Sequence, residues 1–177
     1  MSKSRSKAKK NNNKKSKNEV PQDFTVGLAA ADAVPVLFFG GSMILAGLLF
    51  ASKIFLFGAF LCLFAGAAKV LWKFIVALKH KDIQFLFMQM RILMPIGLIS
   101  MISGIIINRK NIAFSTIGEA ALSFPPVLFF SLGLIGMLAM TVMMFTLDSR
   151  SKKSNWIEQT VNSAAQISFF IGLLLIV

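Results

Sequence analysis

The chain has 177 residues, of which 56% are hydrophobic and 15% charged, against about 25% charged in an ordinary soluble domain. That balance excludes a water-soluble globule. The net charge of +12 is mostly a property of the N-terminus, because Lys3, Arg5, Lys7, Lys9, Lys10, Lys14, Lys15 and Lys17 crowd into the first seventeen residues.

Residues 1–23 are a Lys/Asn/Ser low-complexity segment without apolar periodicity. Such a segment buries too little surface to offset its ordering entropy, so a disordered basic cytosolic tail is expected. Its length and polarity do not suit the n-region of a cleaved signal peptide, and it is expected to stay uncleaved. The remainder of the chain has no basic face interleaved with aromatics. The expected partner of the tail is therefore the anionic headgroup layer of a lipid bilayer, not nucleic acid.

Residues 24–177 are expected to form a five-helix transmembrane domain. Five apolar segments, at about 33–51, 54–78, 84–107, 124–147 and 156–177, each approach or exceed the ~20 residues that a spanning helix needs. The fold class is thus all-α: a polytopic integral membrane protein, a bundle of about five transmembrane helices. Short-loop cations alternate as the positive-inside rule requires. The tail, the turn Lys79 to Asp82 and the loop Asp148 to Lys153 fall on one side, and Lys53, Arg109 and Lys110 on the other. The expected topology has the N-terminus in the cytosol and the C-terminus outside, with the cell (cytoplasmic) membrane as the default location.

In chain order, the second segment has two registers. Trp72 and Lys73 either lie within the span or mark the headgroup level; in the second case Phe74 to Lys81 form an amphipathic extension at the bilayer surface, the favoured register. The segment also repeats Gly58, Cys62 and Gly66 at i, i+4, i+8, a close-packing face that predicts a central place in the bundle. Ser42 with Ala46 and Ser100 with Gly104 are shorter pairs of the same kind. Thr116-x-x-Glu119 reads as a capping box for a short helix ahead of Pro125, and Pro125-Pro126 sit where a first helical turn tolerates proline. The fifth segment opens with Asn155 as N-cap and Glu158 at N3, beside an interfacial Trp156.

Lys69, Lys73 and Arg91 are the charges placed deepest in apolar sequence. Each costs at least ~2.5 kcal/mol in hydrocarbon and marks a functional hypothesis. Together they would form a cationic pocket for an anionic lipid headgroup or solute. The plainer reading is snorkelling of their aliphatic stems, with Asp82, Asp148 and Glu158 as counter-ions. Glu158, Asn162 and Gln166 form a polar stripe on the last helix, either a pathway lining or, as favoured here, a cap followed by interhelical hydrogen bonds.

Met137, Met140 and Met144, with Met88, Met90, Met94 and Met101, offer thioethers of the kind that bind Cu(I). Adaptable packing explains them more simply. Cys62 is the single cysteine, so no intramolecular disulfide forms. His80 is the single histidine, and no nucleophile elbow, zinc-binding helix or phosphate loop occurs. No catalytic residue, cofactor or metal is therefore expected. The preferred function is an accessory or scaffold subunit that binds a membrane protein partner through its small-residue faces and anionic lipid through its tail. The alternative is a small transporter or channel for an anionic solute, working as a homo-oligomer, with Lys69, Lys73 and Arg91 in its vestibule.

Overall fold

The computed structural model describes residues 25–79, 83–147 and 152–177. The basic tail, His80, Asp82 and Asp148 lie outside the described residues. Every regular element described is a helix: α1 Val26–Leu49, α2 Lys53–Lys79, α3 Gln84–Met88, α4 Met90–Asn108, α5 Phe114–Leu122, α6 Pro126–Thr146 and α7 Lys152–Leu174. Four of them, α1, α2, α4 and α6, are long and apolar enough to cross a membrane, so the protein is membrane-embedded.

The boundaries follow local chemistry. Helix α1 starts seven residues before the apolar segment predicted it, because the Thr25 hydroxyl accepts from the Leu28 N–H at 3.3 Å and caps the run Val26 to Ala33. It stops in a Schellman arrangement: the Ser52 N–H reaches the Gly47 carbonyl at 3.2 Å and the Ala51 N–H the Leu48 carbonyl at 3.0 Å. Ala51 takes the left-handed position there, at φ 48°, which glycine occupies without strain. Ser52 then starts α2, its hydroxyl accepting from the Phe55 N–H at 3.3 Å.

The third apolar segment is broken at Gln89 into α3 and α4. The short helix ahead of the fourth is present as α5, but its N-cap is Ala113 without a side-chain bond, and Thr116 lies inside the helix, not at a capping box. Helix α7 begins at Lys152, which puts Asn155 within the first turn and not at the N-cap. Helix α2 runs unbroken to Lys79, and within the stretch proposed to lie at the surface Val76 is fully buried.

The long helices form a row. Helix α4 packs on α2, α2 on α1, α1 on α7 and α7 on α6, and among the described residues no other pair of long helices shares an extensive contact. The predicted central helix, α2, is flanked on two sides, but the middle place belongs to α1. Contacts at Gly47 with Leu56 and Gly40 with Leu63 run antiparallel, as do Gly58 with Gly97 and Gly136 with Ala165. Helices α1 and α7 are parallel, since Gly27 meets Trp156 and Gly41 meets Phe170. The row therefore has a basic end, at Val26, Lys79, Gln84, Thr146 and Lys152, and an opposite end at Leu49, Lys53, Asn108, Pro126 and Leu174.

Backbones touch where glycines face each other. A Cβ added at Gly58 would lie 2.5 Å from the Gly97 carbonyl oxygen and 2.9 Å from the Met101 nitrogen, and one at Gly97 would lie 2.9 Å from the Gly58 carbonyl oxygen. Gly66 turns instead to Val36 on α1, so the stripe Gly58, Cys62, Gly66 serves two neighbours. At the opposite end the same interface closes on Ser52 and Asn108. The Asn108 amide donates to Ser52 Oγ at 2.9 Å and to the Gly104 carbonyl at 3.0 Å, and Ser52 Oγ also donates to that carbonyl at 3.3 Å.

Two stability predictions follow from these contacts. Gly58→Leu forces backbone apart from backbone, and overpacking of this kind costs about 1–3 kcal/mol or more. Its thermal unfolding midpoint in detergent falls well below wild type, whereas Gly118→Ala, whose Cβ meets nothing within 4 Å, does not lower it. Ala51→Gly relieves the left-handed position and raises stability by about 1 kcal/mol, read in the same unfolding experiment.

Candidate functional site

The charged residues of α2 are distributed by helical geometry. Lys69 lies two turns beyond Cys62 and shares the face that packs on α4; Lys73 lies two turns beyond Gly66 and shares the face that packs on α1. The structure thus separates two cations that the sequence grouped together.

Lys73 Nζ forms an ion pair with Asp32 Oδ2 of α1, with side chains only 14% and 7% exposed. The site expected from sequence lacks this carboxylate, because the expected first span begins at about residue 33, just after it. The signal lay in Val26 to Ala33: an apolar, alanine-rich run with a single acid reads as the first turns of a helix once that acid has a counter-ion. The pair sits about 9 Å along each helix from the basic end, six residues from Val26 and six from Lys79. Two charges at that depth are tolerable only together, since either alone would be an uncompensated ion in a dry interface.

Lys69 and Arg91, by contrast, converge. With Met90, Met94, Pro95 and Leu98 they line an open groove of about 420 Å³ between α2 and α4. The cations stand at its basic end, and its floor is apolar. A second groove, of about 460 Å³, is lined by Phe57, Phe60, Leu61, Leu63, Phe64 and Ala67, without any charged group. It belongs to the exposed aromatic face of α2, where Phe64 is 63% exposed, as a lipid-facing surface would be.

The stripe on α7 faces α6. Gln166 is buried and its amide donates to Met137 Sδ at 3.4 Å. Asn162 and Glu158 are half-buried; they lie two turns before Phe169 and Ala165, residues that meet Gly133 and Gly136 of α6. The two methionine groups are far apart in the row, on α3–α4 at one flank and α6 at the other, and Met101 packs into the core with Ala46, Phe55 and Cys62. Cys62 Sγ lies 3.8 Å from the Met94 carbonyl and 1% exposed, in a packing position. Among the described residues no group of His, Cys, Asp and Glu is placed to hold a metal ion.

The Asp32–Lys73 pair predicts strong non-additivity. Asp32→Leu and Lys73→Leu each leave a buried charge without its partner and destabilise the protein by about 3–5 kcal/mol. The double variant recovers most of that loss, as read from the unfolding midpoints of all four proteins in one detergent. No protein-family model matches the chain, and neither a curated protein nor a solved structure is significantly similar to it.

Proposed function

We propose that this protein is an accessory or scaffold subunit of a membrane assembly, with its basic end at the cytosolic, anionic face of the bilayer. The observation that carries this reading is the open row. Helices α4 and α6 each pack on one side only and present apolar residues outward, among them Ile99 at 64% and Ile135 at 62% exposed. A solute pathway needs helices arranged around a lumen, whereas a row offers flanks on which a second membrane protein and lipid can lie. Between the long helices the described residues add only two short ones, α3 and α5, so the interaction surface is largely within the membrane.

Five crossings fit this reading. Helix α7 has 23 residues, lies between α1 and α6, and runs parallel to α1 and antiparallel to α6, as the last of five alternating spans must. Its polar Gln166 is turned to α6 and away from lipid. The N-terminus then lies in the cytosol and the C-terminus outside, with the cell membrane the simplest host. The eight cations of the tail would hold the anionic leaflet by electrostatic attraction worth about 1 kcal/mol each near the surface.

One observation favours a second reading, a small transporter for an anionic solute: an ion pair within spanning helices, Asp32 with Lys73, often belongs to a translocation path. The two readings separate on Lys69→Leu, which leaves a scaffold's complex intact but abolishes flux through a transporter reconstituted in liposomes.

Two experiments test the proposal. Mass spectrometry of intact complexes released from native nanodiscs is expected to show a stoichiometric membrane partner; a clean homo-oligomer would overturn the scaffold reading. Val177→Cys in a Cys62→Ala background provides one thiol for an impermeant maleimide. Labelling from outside intact cells is expected, and labelling only after the cytosolic face is opened removes the fifth crossing.

A further inference from the structure

Helix α5 is held near one membrane level from both ends. The Asn111 and Ile112 N–H groups bond back to the Asn108 carbonyl at 2.8 and 3.2 Å, and the Phe114 N–H bonds to the Ile112 carbonyl at 2.9 Å, so α5 starts one tight turn after α4 stops. At its other end only Ser123, Phe124 and Pro125 separate it from α6, a reach of at most about 14 Å from Leu122 to Pro126. Both α4 and α6 are long and apolar enough to cross a bilayer, and the exposed cations Lys53, Arg109 and Lys110 mark the headgroup level at this end. Among the described residues α5 shares an extensive contact with α6 alone.

A turn of about 100° per residue puts Phe114, Ile117, Gly118, Ala121 and Leu122 on one arc of α5 and Ser115, Thr116 and Glu119 on the other. The three polar residues are exposed. On the apolar arc Ile117 and Ala121 are half-buried, whereas Leu122 is 75% exposed and Phe124, just beyond the helix, 81%. We infer that α5 is an interfacial helix, docked on the headgroup and upper acyl layer of the leaflet at the end opposite the basic one. Phe114, Leu122 and Phe124 enter the lipid about 5–10 Å deep, and Ser115, Thr116 and Glu119 face water. Helix α5 carries no Lys or Arg, so apolar burial holds it and anionic lipid is not required, in contrast to the attraction proposed for the basic tail. Tethering at both ends lowers the entropy lost on docking, so nine residues suffice. The inference rests on the membrane residence assigned above, but not on a protein partner.

The test places single cysteines in the full chain with Cys62→Ala, attaches a nitroxide and reconstitutes the protein in nanodiscs of phosphatidylcholine alone. Collision with oxygen, which concentrates in lipid, is compared with collision with a nickel chelate, which stays in water. Gly118→Cys has room for the label, since a Cβ there meets nothing within 4 Å, and Leu122→Cys is already exposed. Labels at these two positions are expected at least about 5 Å below the phosphate level, and labels at Ser115→Cys and Glu119→Cys above it. Adding phosphatidylglycerol is expected to leave the pattern in place. Equal nickel access at all four positions would put α5 in water, and low access to both reagents at Gly118→Cys and Leu122→Cys would put it against protein; either result overturns the inference. So does a pattern that appears only with phosphatidylglycerol present. Leu122→Ser with Phe124→Ser is expected to bring the label at Gly118→Cys up to the phosphate level, and an unchanged depth there also overturns the inference. Failure to find a protein partner bears on the scaffold reading alone.

Discussion

Helices in lipid gain nothing from hiding apolar side chains from one another, because acyl chains solvate leucine as well as leucine does. What holds them together is close approach, and close approach requires that something be missing from the surface. At the α2–α4 interface the missing groups are the side chains of Gly58 and Gly97, whose backbones touch, with Gly104 admitting Phe55 one step further along. The same device recurs at Gly40 and Gly47 between α1 and α2, at Gly41 between α1 and α7, and at Gly133, Gly136 and Gly172 between α6 and α7. Each glycine serves one neighbour, and the succession of such pairs strings the helices into a row.

Polar groups inside the row are placed by that framework. Asp32 and Lys73 meet because α1 and α2 are held antiparallel by Gly40, Gly47 and Gly66, with Val36 and Leu63 between them. Ser52 and Asn108 close the opposite end of the α2–α4 interface by satisfying the Gly104 carbonyl and the first turn of α2. Gln166 does the corresponding work between α7 and α6 with a thioether as acceptor. In each case a group that lipid would reject is turned into an interhelical contact, which is the condition on which a membrane tolerates it.

The groove and the ion pair illustrate how one helix divides its charges between two tasks. Lys69 and Lys73 are four residues apart and only about 40° apart around the helix, and it is the position of α1 and α4 on either side of α2 that gives Lys73 its partner on α1 and leaves Lys69 in the groove with α4. The consequence is chemical: with Lys73 paired to Asp32, the three cations that the sequence groups together do not line one vestibule.

Hydrophobic segment length was enough, without coordinates, to show a helical membrane protein and to place α2 and α6 within a few residues, because it follows from the thickness of a bilayer, whereas the starts of α1 and α4 lie seven and six residues from those expected. The Gly58, Cys62, Gly66 spacing marked a packing face for the same reason, since small residues at i, i+4 leave a groove whatever lies in it. Which helix fills the groove was not legible: Gly58 and Cys62 turn to α4 and Gly66 to α1, a choice made by the positions of both neighbours. Asp32 escaped notice because hydropathy counts a lone acid as the end of a span, and only the antiparallel register of α1 against α2 brings Lys73 to neutralise it. The order of helices in the row is likewise tertiary information. It depends on which glycine faces which partner across lipid, and no single segment carries both halves of that contact.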